Sequence, residues 1–169
     1  MASRTPVTSS SSAKAEVGVG AAARLLATAG GLGYLPLAPG TYGSALGAAL
    51  CFPLLSLPWP VLAGGAAALT AVAVWAAGQV AAARGRADPS EVVIDEIAGM
   101  WWAALLLPAS LYDLGAVFFL FRLFDVVKPS PIGRLERLPG GLGIVADDVA
   151  AGILARVTWW LLKINFDFL

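Results

Sequence analysis

Two acidic pairs stand out in this sequence. Asp95 and Glu96 close the segment Asp88-Pro-Ser-Glu91-Val-Val-Ile-Asp95-Glu96 where it runs into an apolar stretch, and Asp147-Asp148 stand before another. Acids at helix starts are favoured by unpaired N–H groups and the helix dipole, which alone would account for one acid per helix. Two adjacent acids at each of two starts exceed what a cap requires. Carboxylates at the edge of an apolar bundle also need partners, which makes them functional candidates. Together the pairs supply hard oxygen ligands for a divalent cation. Mg2+ suits them, because it keeps some of its waters and shares the phosphate oxygens of a substrate.

Arg122, Asp125 and Lys128 recur every three residues in Phe-Arg122-Leu-Phe-Asp125-Val-Val-Lys128-Pro. A basic helix end anchored at lipid headgroups explains this stripe without function. In a phosphate site, Arg122 and Lys128 would bind the anion while Asp125 orients one of them or joins the metal. The loop Ala38-Pro-Gly-Thr41-Tyr-Gly-Ser44 adds two hydroxyls and backbone N–H groups ahead of an apolar segment, an arrangement that can hold an anion. A loop that simply turns the chain would look the same.

Several chemistries are excluded. The chain has no histidine and one cysteine, Cys51. That removes Ser-His-Asp triads, phosphohistidine chemistry, disulfide frameworks and most zinc sites. Cys51 is followed six residues later by Leu57 and not by arginine, so a cysteine-phosphatase loop is absent. There is no P-loop motif. A CDP-alcohol phosphotransferase motif fails as well, because Ala151 replaces a required acid and the chain ends before another. Metal-assisted displacement at phosphorus survives.

The elements that must hold these groups are apolar. The 169 residues are 59% hydrophobic and only 13% charged, with eleven basic and eleven acidic residues. Soluble domains carry about 25% charged residues, so a membrane protein is the class that fits. A nucleic-acid module would need a basic surplus, and nucleic acid is excluded as a partner. Between Arg24 and Arg84 lie 59 uncharged residues, whereas 14 of the 22 charges fall within 84–96 and 122–148. Residues 1–16, with four consecutive serines, read as a disordered tail, and 17–169 as a single membrane-embedded domain. Residues 30–44 are too rich in Gly and Pro for a regular helix and read as a structured loop. The apolar runs predict an all-α bundle of four or five membrane helices at about 44–57, 61–83, 96–112, 115–127 and 148–165. Residues 61–83 would span about 34 Å as a helix, enough for a core of about 30 Å. With the N-terminus cytoplasmic and helices paired as hairpins, Arg84, Arg86, Lys128, Arg134 and Arg137 return to one face, as the positive-inside rule expects.

Four blocks in order then resemble the phosphatidylglycerophosphatase A family of bacterial membrane lipid phosphatases. They are Gly-Tyr-Leu-Pro-Leu-Ala-Pro-Gly-Thr-Tyr-Gly-Ser at 33–44, Asp-Pro-Ser-Glu-Val-Val-Ile-Asp-Glu-Ile-Ala-Gly at 88–99, Phe-Arg-Leu-Phe-Asp-Val-Val-Lys-Pro-Ser-Pro-Ile at 121–132, and Gly-Gly-Leu-Gly-Ile-Val-Ala-Asp-Asp-Val-Ala-Ala-Gly at 140–152. The resemblance implies an Mg2+-dependent hydrolase in the bacterial inner membrane, its site facing the cytoplasm. Its partner would be a phospholipid, phosphatidylglycerophosphate, from which it removes the terminal phosphate. Asp95, Glu96, Asp147 and Asp148 would hold Mg2+ or supply the base. Arg122 and Lys128 would neutralise the phosphate, Asp125 would orient or ligate, and Thr41 and Ser44 would bind phosphate or position their helix. A broader lipid phosphatase acting on phosphatidic acid, or a non-enzymatic transporter or scaffold, competes with this assignment. No inverted repeat of the transporter kind is present.

Overall fold

The computed structural model describes residues 19–166, so the expected tail at 1–16 lies outside the described residues. Among them every regular element is helical. The helices are α1 (Ala21–Ala27), α2 (Pro39–Cys51), α3 (Trp59–Arg84), α4 (Ile94–Ala104), α5 (Leu111–Val127) and α6 (Gly141–Phe166). Short 3-10 segments occupy Ala29–Tyr34, Phe52–Leu54 and Ile132–Arg137.

Several boundaries differ from the sequence expectation. Helix α2 begins at Pro39, inside the segment read as a loop. Proline is tolerated there, because the first helical turn has no N–H bond to lose and its fixed φ suits the entry. Helix α4 stops at Ala104, well short of 112. Leu105 is extended and Leu106 turns at φ +63. The two carbonyls freed by this break accept hydrogen bonds from Arg156, from Nε to Leu105 at 2.7 Å and from Nη2 to Leu106 at 2.9 Å. Helix α5 starts at Leu111, where the Ser110 hydroxyl accepts from the Asp113 N–H at 3.3 Å. Helix α6 starts at Gly141, just after Gly140 turns the chain at φ +60. Asp147 and Asp148 therefore lie in the second turn of α6, where no cap is needed.

Helix α4 is the hub, packed against α6, α2 and α3. Its crossing with α6 is very close. A Cβ on Gly152 would sit 2.1 Å from the Gly99 carbonyl oxygen, so only glycine lets the two backbones meet. Small residues at helix contacts are the usual device where packing rather than water drives association. Two apolar clusters flank this axis. One gathers Cys51, Met100, Ala103, Val117, Phe121, Ala151 and Ala155. The other gathers Ala27, Ala73, Ala76, Ala77, Val80, Ile94 and Val145.

One described helix, α3, is long and apolar enough to cross a membrane, with 26 residues and a mean hydropathy of 1.8. Helices α2, α4 and α5 have 13, 11 and 17 residues. The outer faces of the bundle are apolar: Val72 and Trp75 on α3, Phe119, Leu123 and Val126 on α5, and Ile153, Val157, Trp160 and Leu161 on α6 are exposed. At the start of α5, buried Asp113 accepts from Trp159 Nε1 and from Lys163 Nζ, each at 2.9 Å, which ties that turn to the end of α6.

Candidate active site

The polar ends of α2, α4, α5 and α6 meet around a cavity of about 670 Å³. Asp95 and Glu96 reach it from the first turn of α4, where the chain enters the helix at Val93. Asp147 and Asp148 reach it from α6, and Arg122, Asp125 and Lys128 from the end of α5. One carboxylate oxygen each of Asp95, Glu96 and Asp148 lie within 4.8 Å of one another. Asp95 and Asp148 are buried. Asp95 Oδ1, Glu96 Oε2 and Asp147 Oδ1 are buried without a hydrogen-bond partner among the described residues. Burying polar atoms unpaired costs free energy, and clustering like charges adds to that cost. A hard cation would relieve both penalties at once, and three carboxylates offer the donor set it prefers. The residues present thus fit a divalent ion.

Asp147 stands apart from that trio. Its Oδ2 takes an ion pair from Lys128 Nζ at 2.6 Å, and Lys128 also pairs with Glu136. These two acids hold the Lys128 ammonium above its ordinary range, although its burial works the other way. Lys128 ends α5 in the left-handed conformation at φ 45, which turns its side chain back toward α6. Arg122 has two partners at one nitrogen: Nη1 lies 2.7 Å from Asp125 Oδ2 and donates to Ser44 Oγ at 3.2 Å.

Seven of the nine sequence-predicted residues thus line one cavity, and the two hydroxyls do not. Ser44 is fully buried in α2. Its Oγ donates to the Gly40 carbonyl at 2.7 Å while accepting from Arg122, so it stands behind the cation. Thr41 is half-buried and off the cavity wall. The 38–44 segment contributes Ala38, Pro39 and Gly40 to the cavity wall instead. A Cβ on Gly40 would fall 2.2 Å from Glu96 Oε1, so glycine is what admits that carboxylate.

Asp88, Ser90, Glu136 and Arg137 also line the cavity and were missed as site residues. The charge clustering at 84–96 and 122–148 was their signal, but it did not separate site residues from interfacial anchors. Glu91, four residues before Asp95, is not among the residues lining the active-site cavity. It precedes α4 and pairs with Arg84 at 2.9 Å.

The family model for phosphatidylglycerophosphatase A matches residues 25–163. A Bacteroides thetaiotaomicron protein named "Putative phosphatidylinositol-3-phosphatase" is 38% identical over 150 residues, covering 82% of this chain and 94% of its own length. The phosphatidylglycerophosphatase A of Escherichia coli K12 is 34% identical over 133 residues, covering 78% and 77%. That of Haemophilus influenzae is 34% identical over 146 residues, covering 82% and 90%. No solved structure matches the chain.

Proposed function

The chain belongs to the phosphatidylglycerophosphatase A family, and we propose that it hydrolyses the terminal phosphate monoester of phosphatidylglycerophosphate to phosphatidylglycerol and inorganic phosphate. The observation that carries this is the meeting of three carboxylates within 4.8 Å beside Arg122 and Lys128, in a chain of lipid-phosphatase lineage.

Asp95, Glu96 and Asp148 would hold Mg2+, which when bound supplies positive charge at phosphorus and lowers the pKa of a water. Arg122 and Lys128 bind the phosphoryl oxygens and oppose the charge that develops on them. Asp125 and Ser44 keep the Arg122 guanidinium from swinging away. Asp147, outside the metal trio, takes the proton of the attacking water at Oδ1. Water's oxygen bonds to phosphorus, the bond from phosphorus to the glycerol oxygen breaks, and that oxygen is protonated, the proton held on Asp147 being returned through water so that the base is reset. Uncatalysed phosphate-monoester hydrolysis is among the slowest reactions known, so the cation pair and the metal are both required.

The protein works as an inner-membrane enzyme with four or five membrane segments, its cavity opening to the cytoplasm. This is supported by the apolar outer faces of α3, α5 and α6 and by the basic residues gathered around the cavity. The short helices α2, α4 and α5 would sit in the bilayer within the bundle, with their broken ends satisfied by groups such as Arg156.

A second substrate is favoured by the 38% identity to the Bacteroides protein, whose name specifies a different lipid phosphomonoester. The test is phosphate release by the detergent-purified protein from phosphatidylglycerophosphate, phosphatidic acid and phosphatidylinositol 3-phosphate, with Mg2+ and with EDTA. Release from phosphatidylglycerophosphate, abolished by EDTA, is expected, and release from phosphatidylinositol 3-phosphate as well would carry the second reading. No release from any of the three would end the enzyme assignment.

A further inference from the structure

We propose that a second cavity beside the active site is the subsite for the diester phosphate of the lipid, with Arg86 as its cation; this rests on the active site taking the terminal phosphate of phosphatidylglycerophosphate. That lipid carries two phosphates on either side of a glycerol: the monoester that leaves and the diester that stays. A single cavity has to place the first. Something must also meet the second, or the enzyme gains nothing from the part of the headgroup that sets this lipid apart from phosphatidic acid.

The neighbouring cavity has a volume of about 650 Å³ and shares Pro39 and Ser90 with the active-site cavity as common wall. Arg84, Arg86 and Glu91 bring the charges to it. Glu91 is taken by Arg84 at 2.9 Å. Arg86 makes no ion pair among the described residues. The cations of the active site are already engaged, Arg122 by Asp125 and Ser44, Lys128 by Asp147 and Glu136. Arg86 is therefore an uncommitted guanidinium one wall away from the reacting phosphate. Its planar fork matches two phosphate oxygens, and Ser90 lies on the shared wall. The rim is apolar in a way that suits a lipid and not a free anion. Tyr34 and Leu35 border this cavity and are well exposed, and Leu37, almost fully exposed, borders the active-site cavity next to it. The diester joins the headgroup to the acyl chains, so it belongs at the cavity with the apolar rim, while the monoester reaches the buried carboxylates.

Short-chain phosphatidylglycerol keeps the diester and lacks the monoester, whereas inorganic phosphate occupies the monoester position alone. The two are compared as inhibitors of phosphatidylglycerophosphate hydrolysis by the wild-type protein, Arg86→Ala and Arg86→Lys. Arg86→Ala should raise the KM and the inhibition constant of short-chain phosphatidylglycerol about tenfold each, the size expected for losing a charged hydrogen-bond pair. The inhibition constant of inorganic phosphate should move less than twofold. Arg86→Lys, which keeps the charge but not the fork, should recover part of the loss. Equal shifts for both inhibitors, or none for the lipid, would overturn the subsite. Direct titration of short-chain phosphatidylglycerol into the same proteins separates the two failures. A protein that hydrolyses nothing yet loses lipid binding in Arg86→Ala ends the active-site assignment and keeps the subsite. Normal hydrolysis with unchanged lipid binding in Arg86→Ala ends the subsite alone.

Discussion

At the scale of single residues, the site is a place where stability and activity oppose each other. Asp95, Glu96 and Asp148 crowd three carboxylate oxygens within 4.8 Å, with orphaned oxygens on Asp95 and Glu96. A structural cluster would not be built this way, because each acid raises the cost of ionising the others. Asp148→Asn should therefore raise the melting temperature of the metal-free protein by at least about 2 °C, the effect of relieving about 1 kcal/mol in a domain of this size, while abolishing phosphate release. Mg2+ should stabilise the wild-type protein and not this variant, since a ligand that binds only the native state raises its stability. Thermal melts with and without Mg2+ test both, and a lower melting temperature for metal-free Asp148→Asn would make the cluster a structural one. Ser44 presents the opposite case. If it acts only by holding Arg122, Ser44→Ala should lower kcat/KM about tenfold, and Arg122→Ala should cost at least a hundredfold, as the loss of a charge-stabilising donor does. The double variant should be no worse than Arg122→Ala alone, because the two residues form one unit; additive losses would give Ser44 its own contact with substrate. Such distinctions mark what was legible in advance. The types and spacings of Asp95, Glu96, Arg122, Asp125, Lys128, Asp147 and Asp148 point to one polar face by themselves. That Ser44 stands behind Arg122, and that Lys128 turns at φ 45 to reach Asp147, depends on helix crossings that no local spacing encodes.

At the scale of elements, glycine positions decide where helices begin and how closely they cross. Residues 30–44 read as a loop because Gly and Pro there are poor helix formers in isolation, and the apolar run predicts the last helix only from about 148, yet α2 starts at Pro39 and α6 at Gly141. Tertiary contact overrides propensity at both places, with small residues repaid by close backbone packing. The converse error is the far end of α4. Residues 105–112 are apolar enough to continue a helix, but Leu106 at φ +63 breaks it and Arg156, 50 residues on, satisfies the freed carbonyls. Hydropathy alone carries no signal for a cap supplied from so far along the chain. Two alanine substitutions separate packing from propensity. In Gly152→Ala the new Cβ would meet the Gly99 carbonyl oxygen at 2.1 Å, with backbone on both sides and no flexible side chain to yield. Overpacking of this kind costs about 3 kcal/mol or more, so the melting temperature should fall by at least about 6 °C or the variant should not accumulate. Gly64 in α3 has nothing within 4 Å of its Cβ position. Gly64→Ala should be neutral or gain up to about 1 kcal/mol from helix propensity, read in the same melts. Equal behaviour of the two variants would refute the close crossing of α4 and α6.

At the scale of the whole molecule, charge is sorted to two ends joined by apolar helices. The cavity end holds the carboxylates, Arg122, Lys128, Arg137 and the neighbouring Arg84 and Arg86. The other end holds buried Asp113 with Lys163 and Trp159. Among the described residues only α3 is by itself long and apolar enough to span a bilayer, so span length alone argues weakly for a multi-pass protein. Burial argues more strongly: Phe119, Leu123 and Val126 lie along one exposed face of α5, and Ile153, Val157 and Trp160 along one of α6. Such faces in water would be an aggregation liability, whereas in lipid they are the expected exterior. The two arrangements differ in which ends share a compartment. Arg134, beyond α5 on the cavity side, and Ala109, in the break before it, are both exposed. The single native thiol, Cys51, is buried and can be removed as Cys51→Ala to give a silent background. In intact bacterial cells a membrane-impermeant maleimide should label Ala109→Cys and leave Arg134→Cys unlabelled, and in inverted membrane vesicles the pattern should reverse. Labelling of both sites from the same side would place the two ends in one compartment. Helix α5 would then not cross the bilayer, and the cavity would have to meet its lipid from the membrane surface. The reversed pattern in intact cells would keep the crossing but turn the cavity outward, away from the basic residues' expected side.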